Sequence, residues 1–95
     1  MIQRNDAIAV IGYDGNAALV DRIARKQCAN MSIESLLKAG LFRAAAASAI
    51  YSNNPNELSL VAEEYNRVSG SSYAVESIPR LFGVASIQVS RTVVL

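Results

Sequence analysis

Apolar positions recur along this chain with different periods in different segments. From Ala7 to Tyr13 the sequence reads A-I-A-V-I-G-Y, meets Asp14-Gly15, and continues N-A-A-L-V-D-R. Asp-Gly between two apolar runs is a strong hairpin signal, because both central residues of a type I′ turn adopt positive φ. A turn there sets Val10 opposite Leu19 and Ile11 opposite Ala18. A second reading of residues 16–28 stays open. Asn16 can cap a helix that carries Leu19, Val20, Ile23 and Ala24 on one face, with Asp21 and Arg25 one turn apart.

Beyond residue 31 the period changes to that of a helix. Ser32 is the expected cap, and Ile33, Leu36, Leu37, Leu41, Ala44, Ala45, Ser48 and Ala49 follow at helical spacing. Gly40 costs about 1 kcal/mol inside a continuous helix, which predicts a break at Ala39-Gly40 or a close helix crossing. The best-marked helix starts after Asn54. Asn54 caps, Pro55 takes the first helical position, and Glu57 stands where a capping box needs it. Leu58, Val61, Ala62, Tyr65 and Val68 then form the inward stripe, and Ser69-Gly70 ends the element. From Tyr73 to Phe82, Pro79 allows a single helical turn on each side or a helix that starts at Pro79, and Gly83 closes the segment.

The tail from Ile87 is β-branched and alternates Ile87, Val89 and Val93 with Gln88, Ser90 and Thr92, the pattern of a strand. The expected fold is therefore α+β, a single small globular domain over 1–95. An N-terminal β-hairpin (7–22) and a C-terminal strand (87–94) form a small antiparallel sheet, packed on two to three helices drawn from 32–82.

Composition sharpens this picture in one respect. Apolar residues make up 52% of the chain against 18% charged, and many are alanines, including Ala44–Ala47. A small domain has much surface for its volume, so an apolar surplus predicts a face that meets another chain. A homodimer, or a complex with another protein, is the expected state, with the open sheet and the alanine-rich helix as its two candidate surfaces. Nine basic and eight acidic residues leave a net charge of +1, which disfavours a nucleic-acid or membrane partner. Arg22, Arg25 and Lys26 cluster locally, as do Glu57, Glu63 and Glu64; runs of that size are ordinarily solvated faces. The one cysteine, Cys28, has no internal disulfide partner, and no signal-like segment opens the chain, so the expected location is cytoplasmic.

Candidate chemistry is sparse. The chain has no histidine, which removes the commonest general base and metal ligand. No metal, cofactor or catalytic residue is assigned, and the expected protein is not an enzyme. Cys28, near Arg25 and Lys26, reads as a small residue at the edge of the core rather than a nucleophile. Gly12-Tyr13-Asp14-Gly15-Asn16 lacks both the spacing of a dinucleotide loop and the lysine of a P-loop. Glu63 and Glu64 are neighbours that point about 100° apart on a helix, which bars a paired-carboxylate site.

The stretch Ile78-Pro79-Arg80-Leu81-Phe82-Gly83-Val84 running on to Val89-Ser90-Arg91 resembles the helix-turn-helix of bacterial repressors of the lac-repressor type. That resemblance implies a helix-turn-helix at residues 76–92, with Gln88, Ser90 and Arg91 facing DNA and Arg80 on the same basic face. Pro79 departs from the pattern inside the first helix, and the β-branched tail suits a strand better than a recognition helix. The leading expectation is thus a small, non-catalytic interaction or accessory domain that self-associates. A DNA-binding regulator is one alternative. Another is a small-ligand binder or enzyme with a cleft lined by Tyr13, Tyr51, Tyr65 or Tyr73 and a buried carboxylate.

Overall fold

A computed structural model describes residues 3–84 and 90–95. The first ordered element is a single helical turn, α1 (Arg4–Ala7), which the apolar pattern did not announce. Two strands follow, β1 (Val10–Asp14) and β2 (Ala17–Val20), paired antiparallel. Their register differs from expectation. Gly12 faces Leu19, Tyr13 faces Ala18 and Asp14 faces Ala17, so the turn residues are Gly15-Asn16 instead of Asp14-Gly15. The physical reason is φ. Gly15 takes +61° while Asp14 and Asn16 keep negative φ, so one positive-φ residue at the first turn position suffices, as in a type II′ turn. The shift preserves which side chains share a face until Ile11, where a bulge interrupts the pairing before Val10 meets Val20.

Residues 16–28 divide between both earlier readings. Strand β2 ends at Val20, and Asp21 caps α2 (Arg22–Cys28) by accepting from the Ile23 amide at 3.2 Å. Ser32 caps α3 (Ile33–Lys38) through the Ser35 amide at 3.2 Å. The chain breaks at Gly40, whose φ of +76° is closed to a continuing helix, and resumes as α4 (Phe42–Ser52). Next comes α5 (Pro55–Ser69), closed by Gly70 at φ +72°. Its cap differs from a capping box. The Asn54 side chain accepts from Asn56 N at 3.0 Å, while Glu57 accepts from Ser52 Oγ at 2.8 Å. Glu57 has nothing to take at Asn54, because that amide already donates to the Ala49 carbonyl at the end of α4. A 3-10 turn (Val75–Ser77) leads into one turn of helix, α6 (Ile78–Leu81), which carries Pro79 at its start.

The last described element is β3 (Arg91–Val94), and it corrects the sheet. It pairs with β2 in parallel, giving the order β1-β2-β3 and a mixed sheet where an antiparallel one was expected. The chain leaves the sheet at Val20 and returns beside the start of β2, where Ser90 N donates to the Asn16 carbonyl; the helices are the crossover that such a return requires. The α+β class stands, with about six helices and three strands among the described residues. Residues 87–89 of the expected strand lie outside the described residues.

Among the described residues the buried side chains form two clusters, not one continuous core under the sheet. The larger gathers Leu36, Val61, Ile78 and the alanines of α4 among the helices. The smaller joins Ala9, Val10, Ala18 and Val20 in the sheet, with Tyr13 and Ala24 against it. Ala45 and Ala46 are fully buried, which withdraws the alanine helix as a surface for another chain. At the far end of α5 the expected inward stripe fails: Val68 is exposed, because the helix outruns the core in its last turn.

Candidate functional site

The division into two clusters leaves a cleft between them, of about 360 Å³. On the sheet side its wall is Ile8, Val10 and Ile11; on the helical side it is Leu41, Phe42 and Phe82. Ala24 and Cys28 contribute from α2. Arg43 is the only charged residue in this lining. It sits on the first turn of α4 and reaches across. Its Nε donates to the Phe82 carbonyl at 3.1 Å and its Nη1 to the Val10 carbonyl. Both partners are neutral, and among the described residues no carboxylate pairs with Arg43.

The first turn of α4 lacks a side-chain cap, since Leu41 stands at that position and offers no acceptor. Arg43 is thus the second residue of an 11-residue helix, in the turn that carries the positive end of the helix dipole. Below, Phe42, Tyr65, Tyr73 and Phe82 pack together, Phe42 edge-on to Tyr65 at 5.2 Å and Tyr65 edge-on to Phe82 at 5.0 Å. This cluster braces the helical wall. It takes in two of the four tyrosines expected to line a pocket; Tyr13 sits in the sheet and Tyr51 is exposed.

The buried carboxylate lies elsewhere. Asp6 on α1 accepts from Arg25 Nε, so Arg25 is turned toward a structural partner. Arg4 likewise ties α1 down, donating from Nε to Ser48 Oγ at 3.2 Å and from Nη2 to the Met31 carbonyl. No buried side-chain nitrogen or oxygen among the described residues is left without a partner. On the outer face of α5, the hydrogen bond from Arg67 holds the Glu64 carboxyl below its ordinary range and raises the Arg67 guanidinium in turn. That pair is a solvated one on a surface.

The other residues singled out in the sequence do not converge. Cys28 is buried at the cleft. Arg80 is exposed in the last turn of α6, Ser90 is exposed and bonded through its amide to Asn16, and Arg91 opens β3. Gln88 lies outside the described residues. A recognition helix running through Arg91 is absent, because Arg91–Val94 is a strand and α6 is a single turn. Among the described residues no three His, Cys, Asp or Glu side chains gather as a metal site, and no helix is long and apolar enough to cross a membrane.

Sequence reasoning missed Arg43. A signal was present: it is the one charged residue between Lys38 and Glu57. Compared with protein-family models, with curated proteins and with solved structures, the chain matches none.

Proposed function

We propose that this chain is a non-catalytic interaction domain that pairs with a second copy of itself along β3. The observation that carries this reading is the unequal protection of the two sheet edges. Edge strands present unpaired backbone groups, and natural proteins guard them with bulges, charges or covering elements. Strand β1 is guarded twice, by the bulge at Ile11 and by Arg43, which occupies the Val10 carbonyl. Strand β3 has one charge, Arg91, followed by Thr92, Val93 and Val94; Leu95 beyond them is 59% exposed. Antiparallel pairing of two β3 strands about a two-fold axis joins the sheets and covers Val94 and Leu95 in both copies. The single buried thiol, Cys28, supports a reducing compartment such as the cytoplasm.

Sedimentation equilibrium at tens of micromolar tests the reading. A monomer–dimer equilibrium that Val94→Lys shifts toward monomer supports it. A clean 10.2 kDa monomer across that range overturns it.

A further inference from the structure

The cleft between the two clusters is unrelated to the β3 edge and calls for a ligand of its own. Among the described residues its walls are aliphatic and aromatic, and its only charge is a guanidinium. Arg43 is half-buried, and among the described residues its partners are two carbonyl dipoles and no carboxylate, which leaves the charge open to an anion. Arg43 spends one N–H on Val10 and one on Phe82. The rest of its planar fork suits the two oxygens of a carboxylate, and a low-dielectric wall strengthens such a pair. The first turn of α4 adds potential of the same sign.

From this we infer that the cleft binds a medium-chain monocarboxylic acid. Its apolar body lies against Val10, Ile11, Leu41 and Phe82, and its carboxylate sits on Arg43. The cleft is small, about 360 Å³, and open to solvent, so a short single-chain acid suits it better than a large ligand, and octanoate is the probe for it. A free acid suits the lining better than a peptide. A peptide brings amide groups that need partners of their own, and among the described residues the lining has no polar side chain other than Arg43 and the Cys28 thiol.

The test is titration of the full chain with octanoate and, separately, with octanol, followed by amide chemical shifts and by calorimetry. Octanoate is expected to bind at least about tenfold more tightly than octanol, with shifts centred on residues 8–11, 41–44 and 82. In Arg43→Met, which keeps the apolar stem, that preference disappears. Ala24→Phe leaves both Arg43 hydrogen bonds in place and fills the cleft, so it abolishes octanoate binding while the apo spectrum stays folded; this variant decides the matter should Arg43→Met not fold. Equal affinity for acid and alcohol, shifts mapping elsewhere, or octanoate binding that survives Ala24→Phe each overturn the inference. The dimer is a separate question: a 10.2 kDa monomer that binds octanoate through Arg43 refutes the β3 pairing and leaves this site standing.

Discussion

At the scale of single residues, the polar contacts that matter most are those joining distant parts of the chain. Asp6 is buried and bonded to Arg25, whose side chain is 45% exposed. Arg25→Met takes away the donor and leaves a buried acceptor, at a cost of about 1–2 kcal/mol after allowance for the exposed partner. Urea unfolding at neutral pH measures it through the midpoint. Asn54 caps α5 through one amide bond, so Asn54→Ala is expected to lose about 1 kcal/mol. Glu57→Gln is expected to leave that loss unchanged, since Glu57 bonds to Ser52 and takes no part in the Asn54 cap. The Glu64–Arg67 pair carries a pH signature. The folded-state pKa of Glu64 is lowered, so any stability it contributes is present above the unfolded carboxylate range and is lost as pH falls through the folded value. Comparing Glu64→Gln with the parent at neutral pH and in acid shows the difference closing in acid.

Among the elements, the joints between helices decide more than the helices do. Gly40 separates α3 from α4 with φ +76°, and a Cβ built there meets nothing within 4 Å. The cost of Gly40→Ala is therefore backbone strain alone, about 1–2 kcal/mol, without a steric clash. Thermal unfolding should show that loss. This joint was readable in the sequence, because a glycine inside an apolar helical period has few other uses. The joint at Gly15 was readable only in part. An Asp-Gly pair predicts where a turn falls to within a residue, but the strand twist and the bulge at Ile11 chose which two residues form it. The parallel placement of β3 was not legible at all. Alternation in Ile87–Leu95 marks a strand and its faces, whereas its direction depends on where the helices between deliver the chain.

On the scale of the whole molecule, two clusters with a cleft between them replace the single covered sheet that the element order suggested. The apolar surplus is thereby divided. Most of the α4 alanines go inside the helical core, while exposed apolar side chains are spread over the surface: Ile11 and Leu41 beside the cleft, Val94 and Leu95 at the end of β3, and Ile23, Leu60 and Val68 on the helices. A domain that dimerises through β3 has a melting temperature that rises with protein concentration, because association adds to the folded state by mass action. Calorimetric scans across a tenfold or greater range of concentration should show that rise, and Val94→Lys should flatten it. Octanoate raises the melting temperature of both forms, since its site lies away from the β3 edge.

The sequence alone determined the elements whose causes are local. Asn54-Pro55 started a helix, Gly40 and Gly70 ended helices, Pro79 limited its segment to single turns, and β-branched alternation made a strand of Arg91–Val94. Each follows from a dihedral preference or a hydrogen bond within a few residues. Tertiary structure decided what depends on residues far apart. It turned β3 parallel, because the helices return the chain to the Asn16 end of β2. It placed the alanines of α4 inside, where neighbouring helices rather than a second chain cover them. Above all it set Arg43 across a cleft walled by β1, α2, α4 and Phe82. A lone arginine in an apolar run has no local partner in the sequence, and only the packing of four separated segments determines what its charge faces.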